Sequence, residues 1–128
     1  MKKLYIAVDF DGTVVGWDYP RIGLPIGSVP VLKKLCSAGH KLILCTMRDG
    51  DLLGEAEKWF YSNGIPLYGV NSNKSQYDWT SSKKIYAHLY IDDQALGAPL
   101  KMDPSISEKP FIDWAKVEEI LRQNNIIE

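Results

Sequence analysis

The run Leu4-Tyr5-Ile6-Ala7-Val8 is apolar, has the length of a strand and ends on a carboxylate, Asp9. A second carboxylate, Asp11, follows, and Gly12 then breaks the strand. A continuous apolar strand suits a parallel sheet covered on both faces. A charge is expensive to bury in such a strand, so its placement points to use. Residues two apart share one side of a strand, so Asp9 and Asp11 point the same way if strand geometry holds to its end. Two converging carboxylates at the carboxyl end of a buried strand suit a divalent cation and covalent or acid/base chemistry.

The rest of the chain alternates strand and helix signals. Residues 12–27 carry Gly12, Gly16, Pro20, Gly23, Pro25 and Gly27, which marks a loop or short hairpin, the flap. Ser28 reads as a helix N-cap with Pro30 in the first turn, and Val31, Leu32, Leu35 and Cys36 mark a helical face that Gly39 terminates. Lys41–Thr46 reads as a second strand. A second helix is expected over Asp51–Asn63, where Leu52, Ala56, Trp59 and Phe60 recur at helical spacing before Gly64. Pro66–Val70 is a third strand, residues 71–83 are polar and without clear pattern, and Ala87–Ile91 is a fourth strand ending on Asp92 and Asp93. The proline-rich stretch 97–110 reads as irregular, and Asp113–Gln123 as a last helix with Trp114, Val117, Ile120 and Leu121 inward.

Alternating elements with apolar strands indicate an α/β fold around a parallel sheet. Ligands in such sheets bind at the carboxyl ends of the strands. Asp9 with Asp11, Thr46, and Asp92 with Asp93 all fall at strand ends, and a parallel sheet brings those ends to one edge. Their convergence carries more weight than any one motif.

Length and charge narrow the function classes. At 128 residues the chain fits one domain, 1–128, with a real core. Its 45% hydrophobic and 24% charged content is ordinary for a globular protein. A net charge of −1 gives no strong nucleic-acid signal and no attraction to an anionic membrane surface. No apolar run approaches a membrane span, and the start Met1-Lys2-Lys3 leads into a run that Asp9 cuts short, so the expectation is a cytoplasmic protein. Cys36 and Cys45 make no disulfide framework and no CxxC, and both read as buried packing residues. His40 and His88 lie near strand beginnings and read as structural.

Together these residues resemble the haloacid dehalogenase superfamily of phosphohydrolases. Asp9-Phe10-Asp11-Gly12-Thr13-Val14 is similar to its first motif, Thr46 closing Leu42-Ile43-Leu44-Cys45 to its second, and Ile91-Asp92-Asp93 to the double-aspartate form of its fourth. The resemblance covers nearly the whole chain in order and spacing. It implies a Rossmann-like three-layer sandwich with a mostly parallel central sheet. Cap domains of that superfamily are inserted in the flap or after the third strand. Residues 12–27 and 71–83 leave room for neither, so the resemblance is to a capless member.

The resemblance implies roles. Asp9 attacks phosphorus and carries an aspartyl phosphate, and Asp11 serves as acid and then base. Mg²⁺ is held by the Asp9 carboxylate, the Asp11 backbone carbonyl and Asp92, with Asp93 close by; an all-oxygen site suits it. Thr46 and the backbone N–H of Met47 bind phosphoryl oxygens. A lysine should neutralise nucleophile and phosphate. Lys74 is preferred, because an extended stretch from Lys84 to Asp92 spans roughly 26 Å and carries Lys84 to the far end of the sheet. Lys84 remains the alternative if 71–83 folds back. Arg48 either holds substrate or is a solvated loop charge. Trp17, Tyr19 and Arg21 either contact the leaving group or pack the flap. The expected partner is a phosphorylated substrate, a small molecule or an exposed macromolecular phosphate, and an oligomer is compatible with the open site.

The expected function is a Mg²⁺-dependent phosphohydrolase of phosphate monoesters. The alternative is a non-enzymatic phospho-accepting or metal-binding regulatory module, since receiver domains also gather carboxylates, a threonine and a lysine at sheet ends. Asp11 separates the two, because storing a phosphoryl group needs no acid/base beside the nucleophile. Dehalogenase chemistry fits less well, having no use for Asp11 or metal-binding carboxylates.

Overall fold

Ile6 and Val8, with Leu42 and Leu44, occupy alternate positions of two adjacent strands and are wholly or almost wholly shielded from solvent. Each such side chain contributes roughly 1.5–3 kcal/mol on burial, and together they fix which face of the sheet the helices cover. The computed structural model describes residues 2–128. Its elements are β1 (Tyr5–Val8), α1 (Ser28–Ser37), β2 (Lys41–Leu44), α2 (Gly50–Ser62), β3 (Gly69–Val70), β4 (Leu89–Ile91), β5 (Leu100–Lys101), β6 (Phe111–Ile112) and α3 (Trp114–Gln123), with one 3₁₀ turn at Lys74–Gln76.

The four strands β1–β4 form a parallel sheet in the order β3-β2-β1-β4, and β5 and β6 make a small antiparallel pair. With its three helices this is the expected Rossmann-like α/β sandwich. Val8 is in register with Leu44 on one side and Ile91 on the other. The residues that follow, Asp9, Cys45 and Asp92, therefore emerge side by side at the carboxyl edge. No helix among the described residues is long and apolar enough to cross a membrane.

The two faces of the sheet are covered differently. Leu32 and Leu35 of α1, Ala56 and Phe60 of α2, and Trp114, Val117 and Leu121 of α3 join Ile6, Val8, Leu42 and Leu44 in one cluster. Ala7 and Ile43, buried on the alternate positions, lie outside it. The topology explains this. Steps β1 to β2 and β2 to β3 run the same way across the sheet, while β3 to β4 runs back. Right-handed crossovers then place α1 and α2 on one face and the return segment 71–88 on the other. That segment is aperiodic, so its buried backbone groups need side-chain partners. Gln76 supplies them: its amide nitrogen donates to the carbonyls of Ser82 and Lys84, and its oxygen accepts the N–H of Tyr86. Asn73 donates to the Tyr86 carbonyl.

Local sequence accounts for the elements, although β2, β3 and β4 are shorter than expected and β5 lies in the stretch expected to be irregular. Ser28 is the first helical residue rather than the cap. Gly27 takes the cap position, and the Ser28 hydroxyl donates to the Val14 carbonyl at 2.7 Å, tying α1 to the flap. Asp113 accepts the N–H of Lys116 and caps α3. Ile120, expected inward, is 46% exposed. Gly39 ends α1 with φ of 90°, a conformation that disfavours any side chain. His40 and His88 are structural as expected: their Nδ1 atoms accept the N–H groups of Leu4 and Tyr5, which precede and begin β1. Cys36 and Cys45 are unpaired and half-buried rather than fully buried.

Candidate active site

β1 ends at Val8, so the residues after it no longer alternate as a strand. Phe10 turns into the helix-covered core, where its ring meets those of Trp59 and Phe60. Its carbonyl accepts N–H groups from Thr13, Val14 and Val15, which curls the chain into a turn. This turn separates Asp9 from Asp11. Strand alternation ends before Asp9, so it no longer sets the two carboxylates on one side, and they take different partners.

Asp9 points to the fourth strand. One ligand atom from each of Asp9, Asp92 and Asp93 lies within 4.8 Å of the others. The backbone N–H of Asp9 donates to the Ile91 carbonyl at 3.0 Å, which fixes β1 against β4 at this point. Thr13 organises the group. Its Oγ1 lies 3.0 Å from Asp9 Oδ2 and 3.0 Å from Asp93 Oδ1, and it accepts the N–H of Asp93 at 2.9 Å. One hydroxyl proton cannot serve both carboxylates fully. Asp93 is further held by the Trp17 indole N–H at 3.1 Å and the Gln94 amide at 3.3 Å. Asp92 accepts the Gln94 backbone N–H.

No lysine or arginine among the described residues forms an ion pair with these three carboxylates. Burial pushes the Asp9 carboxyl up from 3.8 to about 7. The Phe10 backbone N–H works against that rise, while the Asp92 charge and the hydrogen bond with Asp93 add to it. Cys45, on the neighbouring strand end, has its thiol pushed up by burial and then by the charges of Asp9 and Asp92, which keeps it a weak nucleophile.

Asp11 has a different partner. Arg48 grips it with Nε on Oδ2 at 2.8 Å and Nη2 on Oδ1 at 2.7 Å, and both side chains are at most 10% exposed. The guanidinium also donates to the carbonyls of Arg21 and Leu52, with the rings of Phe10 and Tyr19 at 5.0 and 5.2 Å. Arg48 is thus neither a solvated loop charge nor free for substrate. It joins the flap, α2 and Asp11.

β2 stops at Leu44, and Thr46, expected as its last residue, follows at the same edge. Its N–H donates to the Asn71 side chain at 2.8 Å, and its hydroxyl accepts the Arg48 N–H at 3.1 Å, leaving the hydroxyl proton to donate. The Met47 side chain stands in solvent, and only its backbone belongs to the edge. Neither lysine reaches the carboxylates. The chain reverses after β3, with the Ser72 carbonyl packed so closely on Gly69 that a Cβ there would sit 2.3 Å from it. Lys74 is carried back to the Tyr68 ring, 5.2 Å away, which packs on Tyr5 at the start of β1. Lys84 lies 5.8 Å from the Tyr90 ring.

Thr13, Asn71 and Gln94 join the site without an expected role, and the contact of Trp17 with Asp93 is likewise unexpected. Thr13 carries a readable signal, a hydroxyl one turn beyond Asp9. Gly12 carries another. At its φ of 80° a Cβ would sit 2.2 Å from Trp17 Nε1 and 2.5 Å from Asp93 Oδ2. Only glycine lets the indole reach the carboxylate.

No protein-family model matches the chain, and no curated protein matches it. A solved structure described as a conserved protein coded by a locus from Bacteroides thetaiotaomicron is similar to it, with a TM-score of 0.78 and 35% sequence identity. The match covers 96% of this chain and 93% of that one. The likeness therefore extends over both chains almost end to end, and the chain belongs to the family of that conserved protein.

Proposed function

We propose that the chain is a Mg²⁺-dependent phosphohydrolase of haloacid dehalogenase type, cleaving a phosphate monoester through an aspartyl phosphate on Asp9. One observation carries this reading. Asp9, at the end of a central strand, gathers with Asp92 and Asp93 within 4.8 Å, with no cationic side chain paired to them among the described residues. Clustered like charges of this kind fit a hard cation with oxygen ligands. Asp9, Asp92 and Asp93 would hold Mg²⁺, with the Asp11 carbonyl added by the family resemblance. Bound there, it would keep Asp9 ionised, offset the repulsion of phosphate by carboxylate and polarise the phosphoryl group.

The chain's own residues then do the following. An Asp9 carboxylate oxygen forms a bond to phosphorus as the bond to the leaving oxygen breaks. Thr13 holds Asp9 in line through its hydroxyl. The Thr46 hydroxyl and Met47 N–H donate to equatorial oxygens as charge spreads over them. The leaving oxygen takes a proton, and water next attacks the phosphorus, gives up a proton and frees Asp9. Asp11 is the acid and base of this cycle, and to act it has to exchange Arg48 for the reacting groups. Without a cap, the substrate is a small phosphorylated molecule or an exposed macromolecular phosphate.

The Asp11–Arg48 pair also favours a second reading. With Asp11 held in this way, a phosphoryl group on Asp9 lacks a base for hydrolysis, as in a phospho-accepting regulatory module. Phosphate release from an aryl phosphate with and without Mg²⁺ separates the readings. The phosphohydrolase predicts metal-dependent turnover that Asp9→Asn abolishes, and full activity in that variant would sink the mechanism. A long-lived phosphoryl group on Asp9 without turnover would establish the module instead.

A further inference from the structure

The phosphoryl chemistry leaves one feature unused, an open groove of about 740 Å³ between the flap and the segment 104–109. That volume is in the range of small-molecule sites. Trp17 belongs to both places. Its indole N–H donates to Asp93 at 3.1 Å while its ring walls the groove. Whatever fills the groove therefore lies one indole away from the carboxylates.

The walls specify a shape. Tyr19 is 55% exposed, and Arg48 lies 5.2 Å from its ring, which gives the ring a fixed neighbour. Leu24 on the flap and Ile106 on the opposite segment add apolar surface. The charges nearly cancel. Arg21 pairs with Asp18 at 2.9 Å, and Lys109, whose Nζ is 4.7 Å from the Trp17 ring, is balanced by neighbouring Glu108. A groove with two aromatic walls and no net charge suits a flat neutral ring, with Lys109 and Glu108 as donor and acceptor for its polar edge.

We propose that this groove takes the organic part of the substrate, and that this part is an uncharged planar ring of the nucleobase type. The proposal rests on the phosphohydrolase reading and goes beyond it by naming the leaving group. Trp17 would then couple recognition to chemistry, since the same side chain touches the ring and orients Asp93.

The test compares adenosine 5′-monophosphate with ribose 5-phosphate, which share the phosphoester and differ in the base. With Mg²⁺, kcat/KM should favour the nucleotide by about tenfold to a hundredfold, the scale of base–aromatic stacking. Tyr19→Ala, and separately the exposed-site variant Leu24→Arg, should bring that ratio close to one. Equal rates in the unaltered protein, or a preference that survives both variants, would overturn the groove assignment while leaving the phosphohydrolase reading intact. Should neither compound be hydrolysed, the aryl phosphate assay decides the phosphohydrolase reading, and calorimetric binding of the same pair decides the groove alone. Tighter nucleotide binding that both variants abolish supports it, and equal binding overturns it.

Discussion

Asp9 and Asp11 are near neighbours in the chain and have opposite surroundings. Asp11 is held by a two-pronged guanidinium that also braces the flap and α2. Asp9 shares a half-buried edge with two further carboxylates and a single threonine proton. The burial of Phe10 between them causes the split, by ending the strand and curling the chain. The compensated end ties Asp11 to the flap and to α2. The uncompensated end leaves like charges in mutual repulsion. On the proposed reading the nucleophile lies where charge is left unbalanced, and Asp11 has to leave its balanced partner before it acts as acid and base.

The largest effect expected from breaking this contrast is on turnover. Asp9→Asn removes the proposed nucleophile and should cost on the order of 10⁴-fold or more in kcat, measured as phosphate release, with the fold retained by circular dichroism. Next comes stability on the compensated side. Arg48→Met strands the buried Asp11 carboxylate and should cost about 3–5 kcal/mol in denaturant unfolding. Asp92→Asn, which relieves like-charge repulsion, should cost nothing or stabilise slightly. Equal losses for the two variants would erase the distinction between the ends.

A smaller effect is expected at the joint between flap and cluster. Gly12→Ala puts a methyl group where Trp17 and Asp93 meet, at positive φ, and should cost about 1–3 kcal/mol. A wild-type unfolding curve for this variant would show that the Trp17–Asp93 contact is not tight. The smallest effect is a slope with pH. In metal-free protein the folded Asp9 carboxyl binds its proton more tightly than the unfolded chain does, at about 7 against 3.8. Its stabilising contribution is therefore complete below pH 3.8 and is lost as pH rises through about 7. Melting temperature across this interval should fall more steeply in the unaltered protein than in Asp9→Asn, and parallel curves would contradict the raised carboxyl.

Much of this was legible from the chain. Apolar runs ending on Asp9, Thr46 and Asp92 place three strand ends at one edge, because parallel strands leave no other arrangement. The parts that were not legible depend on long-range or irregular contacts. Arg48 lies 37 residues from Asp11, and nothing in its neighbours distinguishes a buried arginine from a solvated one. The two aspartates look alike because the strand period extends to Asp11 on paper, while the Phe10 turn cancels it. Lys74 follows a real third strand, but the tight reversal at Gly69 and Ser72 takes it to the other end. The second face of the sheet was unreadable for a related reason. Its cover is held by Gln76 and Asn73 side chains, which leave no periodic trace.

The central claim is that the uncompensated aspartate, and not its paired neighbour, carries the phosphoryl group. Borohydride reduction of protein quenched during turnover converts an aspartyl phosphate to homoserine, which peptide mass spectrometry locates. The account predicts homoserine at position 9, requiring both Mg²⁺ and a phosphate monoester, and none at positions 11, 92 or 93. Turnover without homoserine at position 9, or homoserine at position 11, would contradict it.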